Sequence, residues 1–202
     1  REPTIIIANE FLDALPVRQT QRTSDGVSLE RRVGLDAAGQ LIFVPAETVD
    51  AEITTQCDTT ALVSQLLAPL NCAVALFIDY GHAEIATRDT LQAVRAHTPE
   101  HPLTSPGEAD LTTHVDFSAF GALATARGNL IAEPIATQAE FLGQLGLVER
   151  AHRLITSNPQ LANSIETSAG RLISPNSMGT RFKVLCLRSP SLPPPPGFTT
   201  ST

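Results

Sequence analysis

The stretch Ile5–Pro16, IIIANEFLDALP, constrains this chain more than any other. An apolar run, Ile5-Ile6-Ile7-Ala8, turns abruptly polar at Asn9-Glu10, places a second acid at Asp13 and closes at Pro16. A short continuous run of β-branched residues predicts a strand buried on both faces, as in a parallel sheet. A polar cluster directly after such a strand sits at its carboxyl end, where open α/β sheets bind their ligands. Two readings of the acids stay open: ligand chemistry, or an ordinary strand exit with solvated carboxylates. Cys72–Ile78 repeats the grammar, an apolar run ending in Asp79-Tyr80-Gly81-His82.

Between these two runs the texture changes. Arg18–Thr23 suits a polar strand, and Asp25-Gly26 is a tight-turn signal. Val27–Leu35 alternates, with Val27, Leu29, Val33 and Leu35 on one parity; Ala38-Gly39 turns again, and Leu41–Val44 ends at Pro45. This predicts an antiparallel meander over 17–45, inserted into the main sheet as structural cover or as part of a binding surface. Glu47–Gln56 has no clear period and reads as a linker. Asp58 is placed to cap a helix running to about Leu67, with Leu62, Leu66 and Leu67 inward.

Further on, Asp89–His97 reads as a short helix and Thr98–Asp110, with its prolines, as a long irregular loop. Glu108, Asp110, Thr112, Thr113, His114 and Asp116 form a dense polar cluster, and Asp116 caps a helix closed by Gly128. Leu130–Ile135 reads as a strand, and Thr137-Gln-Ala-Glu140 as a capping box opening a helix. Leu147–Ile155 is helical, a further helix follows Asn158-Pro159, and Phe182–Leu187 is a last strand of unreadable direction. Strands alternating with helices make the class α/β, a mostly parallel sheet with an antiparallel insertion. Residues 1–189 read as the domain and 190–202, with the polyproline run Pro193–Pro196, as a tail.

Composition excludes several functions. The net charge is -7, there is no Trp and Tyr80 is the one tyrosine, so neither a basic surface nor stacking platforms for nucleic acid are present. The longest apolar run is too short to span a bilayer. Cys57, Cys72 and Cys186 lack paired spacing and read as free thiols in a reducing compartment. No metal site is expected: His97 and His101 are four apart, but Pro99 and Pro102 spoil a helical presentation. The chain opens on REPTIII, a few residues before a core strand, so an N-terminal portion is expected to lie outside it.

Acids at Glu10, Asp13 and Asp79, with Tyr80, His82 and His114 nearby in the chain, suit a cationic acceptor in an open acidic groove. A guanidinium is a planar fork of donors that paired carboxylates orient. They also hold its charge on two nitrogens and leave the third more nucleophilic, while a neighbouring His or Asp takes the released proton. Each histidine has an equally good structural reading.

The segments ANEFLDALPV (Ala8–Val17), IDYGH (Ile78–His82), DTLQAVRAH (Asp89–His97), PGEADLTTHVDF (Pro106–Phe117), TQAEFLGQLG (Thr137–Gly146) and MGTRFKVL (Met178–Leu185) carry a resemblance. In this order they resemble the MidA-like S-adenosylmethionine-dependent methyltransferases, a family that includes a mitochondrial assembly factor methylating an arginine of a respiratory complex I subunit. The resemblance covers essentially the whole chain. It implies a class I, Rossmann-like methyltransferase sheet, incomplete at its N-terminal side, whose opening strand matches the family's fourth. It implies S-adenosyl-L-methionine as cofactor, held largely by a glycine-rich loop upstream of these residues, so that this portion alone binds it poorly. By the same resemblance Asn9, Glu10 and Asp13 match the motif after the family's fourth strand, which borders the transferred methyl; Asp79, Tyr80 and His82 match the following strand-end motif; and Asp110, Thr112 and Asp116 match a loop over the substrate. The resemblance does not assign individual roles, and we read Asn9 as cofactor-binding, Glu10, Asp13, Asp79, Tyr80 and His82 as catalytic, and Asp110, Thr112, His114 and Asp116 as substrate-binding. A protein substrate follows, with a homodimer left open, in the cytoplasm of a bacterium or the mitochondrial matrix of a eukaryote. The alternatives are a non-catalytic docking factor and a small-molecule methyltransferase with an enclosed pocket. One departure from the family's pattern, Glu52-Ile-Thr-Thr in place of Glu-x-Ser-Pro, puts the start of the next helix in doubt.

Overall fold

The structure is a computed structural model that describes residues 2–46, 52–84 and 88–198. The opening apolar run is strand β1 (Thr4–Asn9). Then come β2 (Val17–Arg22), β3 (Ser28–Leu35), β4 (Leu41–Val44) and β5 (Glu52–Cys57), which form one antiparallel sheet in the order β4-β3-β2-β5. The predicted meander is there, turned by Gly26 and Gly39 with φ of 85° and 78°. Its fourth strand corrects the linker reading of Glu47–Gln56: residues 47–51 lie outside the described residues, and Glu52–Cys57 pairs with β2. Ile53 and Thr55 alternate inward there, a β-branched pattern that polar neighbours hide in the sequence. The apolar parity of β3 also behaves unexpectedly, since Leu29, Val33 and Leu35 are exposed and Arg31 is buried.

Asp58 accepts from the Thr60 N–H in a local turn, but the predicted cap is corrected: the π-helical turn that follows, Leu62–Leu67, has Ala61 at its N-cap and no side-chain cap. The wider turn buries Val63 and Leu67 and rotates Leu66 outward, in place of the predicted inward Leu66. Strand β6 (Ala73–His82) then runs parallel to β1, Ile6 opposite Ala75 and Asn9 opposite Ile78.

The expected helix Asp89–His97 and the loop after it are instead a small antiparallel sheet of β7 (Gln92–Arg95), β8 (Thr98–Glu100) and β9 (Asp110–Thr112). Ala96 and His97 both take positive φ, 48° and 64°, the backbone a two-residue hairpin demands. Strand β10 (Val115–Asp116) extends the end of β6 in parallel. Helix α1 (Phe117–Gly128) follows, capped by Asp116, whose carboxylate accepts from Ala119 N–H at 2.8 Å. The left-handed residue that closes it is Asn129, just past Gly128.

Leu130–Ile135 is not one strand. Two short strands, β11 (Ile131–Ala132) and β12 (Ala136–Thr137), flank Glu133-Pro134, where proline has no N–H to donate and Glu133 turns to pair with Arg188. Helix α2 (Gln138–Gln144) begins at the predicted Thr137/Glu140 capping box. Helices α3 (Leu147–Ser157) and α4 (Ala162–Ile173) follow, and β13 (Phe182–Arg188) returns antiparallel to β6. The main sheet runs β1-β6-β13-β11, a mixed sheet in an α/β chain.

Phe77 from β6, Phe117 and Phe120 from α1, Val184, Leu185 and Leu187 from β13, and Leu12, Val63 and Leu67 make the core. Phe77 and Phe120 meet edge to face at 4.8 Å between centroids. The prediction that β1 is buried on both faces is corrected. Ile6 and Ala8 pack on this core, but Ile5 and Ile7 are 79% and 71% exposed, because β1 ends the hydrogen-bonded order among the described residues.

Candidate active site at the carboxyl rim of β1 and β6

The chain leaves β1 through a sharp kink. Glu10 adopts φ 49°, while its N–H still donates to the Ile78 carbonyl at 2.9 Å. The kink folds the next three residues back over the end of β6. The N–H groups of Phe11, Leu12 and Asp13 converge on Asp79 Oδ2 at 3.1, 3.0 and 3.2 Å, and Tyr80 N–H donates to Asp79 Oδ1 at 2.9 Å. Asp79 is 1% exposed. Burial first, and the neighbouring Asp13 carboxylate second, push its carboxyl up to about 6, against the pull of these backbone N–H groups. Asp79 therefore fixes the shape of the Glu10–Asp13 loop.

Asp13 carries the side-chain chemistry. Tyr80 donates its hydroxyl to Asp13 Oδ2 at 2.6 Å, and burial, with Asp13 next, holds that hydroxyl well above its usual range, so it stays a donor. Thr112 hydroxyl lies against the same phenol oxygen. Asp13 is 5% exposed, and its Oδ1 is buried with no hydrogen-bond partner. It lines a cavity of about 380 Å³ with mostly apolar walls, among them Leu15, Val17, Phe43, Leu103 and Leu111. Arg31 lies at the same wall, paired with Asp89 and stacked 3.7 Å over the Phe43 ring.

The segment 110–116 is tied down beside this rim. Thr113 N–H donates to the Asp13 carbonyl at 3.1 Å and its hydroxyl meets that of Thr90 at 2.7 Å. Gly81 permits the contact: a Cβ there would lie 2.2 Å from the Val115 carbonyl oxygen. His114 packs its ring edge-on to Tyr80 at 5.7 Å, and burial, then the charges of Arg88, His82 and Arg181, hold it below its usual range. Neither ring nitrogen of His82 has a partner, and both are buried.

The structure thus gathers Asp13, Asp79, Tyr80, Thr112 and His114 at one place, with Glu10 and Asn9 exposed at its mouth, Asn9 donating to Glu10 at 3.3 Å. Asp116 is occupied as a helix cap and Asp110 is exposed on β9. The expectation of an open acidic groove is corrected. Asp13 and Asp79 are buried, and the open cleft next to them, about 1000 Å³, is lined by Tyr80, His82 and His114 together with Arg88, Arg181 and Lys183. Sequence reasoning missed Arg31, Asp89 and these cations. Arg31 left one signal, a charge on the apolar parity of Leu29 and Val33. All three cysteines are free, and burial pushes the Cys57 and Cys186 thiols up to about 12, far from nucleophilic. No described helix is long and apolar enough to cross a membrane.

A parallel strand pair whose carboxyl rim carries clustered acids, a tyrosine and histidines marks an α/β protein with a candidate polar site at the sheet's edge. Within that class the chain belongs to the family described as "Putative S-adenosyl-L-methionine-dependent methyltransferase", whose model matches residues 1–133. It is 33% identical over 198 residues to a Danio rerio protein named protein arginine methyltransferase NDUFAF7, mitochondrial, covering 89% of this chain and 46% of the relative. A Drosophila melanogaster homolog is 30% identical over 208 residues, covering 91% and 47%. A Burkholderia thailandensis crystal structure with S-adenosyl-homocysteine bound superposes with a TM-score of 0.82 at 27% identity, over 100% of this chain and 55% of the other. The chain spans about half the length of the curated relatives it matches.

Proposed function

We propose that the complete protein transfers a methyl group from S-adenosyl-L-methionine to a guanidinium nitrogen of a protein arginine, at the rim formed by Asn9–Asp13 and Asp79–His82. The observation that carries this is the Asp13 carboxylate. One of its oxygens is held by Tyr80, while the other is buried without a donor at the wall of an apolar cavity. An aliphatic stem ending in a planar cation supplies what that oxygen lacks. The names of relatives at about 30% identity support arginine as acceptor, and the open cleft beside the rim suits a protein better than an enclosed small molecule.

The cofactor would supply an electrophilic methyl, and the exposed Glu10 carboxylate with the Asn9 amide suits the neighbourhood of a sulfonium. Glu10 and Asp13 orient the guanidinium and keep its charge away from the attacking nitrogen, and a rim carboxylate or histidine takes the proton that nitrogen releases. Asp79 is a positioning residue. Asp110, Thr112, His114 and Asp116 belong to the segment that faces the substrate. Most of the acceleration comes from alignment. We place the protein in a complex I assembly role, in a mitochondrial matrix or a bacterial cytoplasm, and residues 1–189 as the carboxyl-side portion of the methyltransferase domain.

The test is Glu10→Gln in the complete protein, measured by transfer of labelled methyl to arginine peptides. Transfer is expected to fall by about two orders of magnitude. Unfolding stays unchanged, since the Glu10 side chain is exposed and its hydrogen bond is to the neighbouring Asn9. Near-normal turnover would remove Glu10 from the site. Intact client binding with no transfer in the wild type would favour the docking factor.

A further inference from the structure

The open cleft of about 1000 Å³ reverses the sign of the molecule. The chain carries a net charge of -7, yet this cleft is lined by Arg88, Arg181 and Lys183 against the single carboxylate of Glu84. The cations come from two walls. Arg88 follows β6, whereas Arg181 precedes β13 and Lys183 stands on it, opposite Asp79. Six other arginines among the described residues pair with carboxylates, as at Arg18–Asp58, Arg95–Glu108 and the buried Arg188–Glu133 pair. Arg88 and Arg181 meet no carboxylate among the described residues. Lys183 donates to the Thr180 carbonyl and makes no ion pair among the described residues, with the Glu140 carboxylate near enough to favour its charge. Tyr80 and Phe182, edge to face at 5.7 Å, add aromatic surface between the walls.

We infer that this cleft docks an acidic stretch of the substrate protein beside the arginine that receives the methyl, an inference that rests on the protein-substrate reading above. Side chains on separate elements match carboxylates spaced along an extended peptide. A compact phosphate site gathers backbone N–H groups at a helix N-terminus or glycine-rich turn, and this lining offers charged side chains instead. Tyr80 belongs to both the cleft and the Asp13 site, so a peptide held in the first delivers its neighbouring side chain to the second.

The test is fluorescence anisotropy with the complete protein and three labelled peptides. One has an arginine flanked by Asp and Glu, one has the acids replaced by Ser, and one keeps the acids with the arginine replaced by Gln. The acidic peptide is expected to bind about tenfold tighter than the serine peptide at low salt, as several exposed ion pairs each contribute a few-fold. The preference should vanish at high salt and in Arg88→Glu/Arg181→Glu, whose exposed positions leave the melting temperature unchanged, and should persist in Arg181→Lys. The Gln peptide should retain most of the acidic peptide's affinity. Equal binding of acidic and serine peptides, a preference that survives charge reversal, or full displacement by an equimolar concentration of tripolyphosphate would each overturn the inference. Binding is read without methyl transfer, so an inactive protein that still prefers the acidic peptide counts against the transfer reaction and not against the docking cleft.

Discussion

Removing the Asp79 carboxylate should unfasten the rim, and the cost follows from its partners. In Asp79→Ala the N–H groups of Phe11, Leu12 and Asp13 lose the oxygen that holds them at 3.0–3.2 Å. Phe11 is 45% exposed, so its N–H can turn to water, but Leu12 and Asp13 are 1% and 5% exposed. Two orphaned buried donors at roughly 1–3 kcal/mol each give a loss of about 2–6 kcal/mol. Relief of the repulsion with Asp13 pulls that figure toward its lower end. Asp79→Asn keeps one carbonyl oxygen for the same three donors and removes the repulsion, so it should lie within about 1 kcal/mol of wild type. Urea unfolding at neutral pH, compared at constant m, measures the difference, and amide exchange at residues 11–13 locates it. The two variants should also part in pH dependence. The Asp79 carboxyl is pushed up to about 6 from 3.8, so the native state keeps the proton more tightly than the unfolded chain. Its contribution to stability is full below pH 4, declines as pH rises toward 6 and is flat above; Asp79→Asn abolishes that decline. An alanine variant as stable as the asparagine one, with amides 11–13 still protected, would refute this account.

Gly81→Ala should lower the melting temperature sharply and weaken protection of residues 113–116, because its Cβ would fall 2.2 Å from the Val115 carbonyl oxygen; a melt within a degree or two of wild type would show that segment to be loosely placed. Arg31→Ala should cost about 3 kcal/mol by chemical denaturation, since it strips Asp89 of its buried partner and uncovers the Phe43 ring.

Local signals carried the elements whose causes are local. The apolar runs of β1 and β6, the Thr137/Glu140 capping box, the Asp116 cap and the Asp25-Gly26 turn all depend on residues within a few positions of one another, so they are readable in the chain. The hairpin at Ala96-His97 was not, because it uses positive φ at residues that seldom take it, with neither Gly nor Asn to announce it. Strand β5 was hidden because threonines serve as its β-branched residues. At the site, sequence pattern could mark Asp13 and Asp79 as acids after strands. It could not say that Asp79 spends one of its oxygens on backbone 66 to 68 residues earlier. Nor could it bring Arg88 to the same cleft as Arg181, since that meeting depends on how β13 returns along β6.

In the proposed reaction the left-handed backbone at Glu10 joins architecture to chemistry in a single residue. An L-amino acid other than glycine holds that conformation at a cost of roughly 1–2 kcal/mol, which glycine would not incur. Selection for robustness alone would favour glycine there and discard the acid. Thermostabilised variants of this protein should therefore be screened for turnover at this position first, because sturdiness and the proposed reactivity draw here on the same dihedral angle.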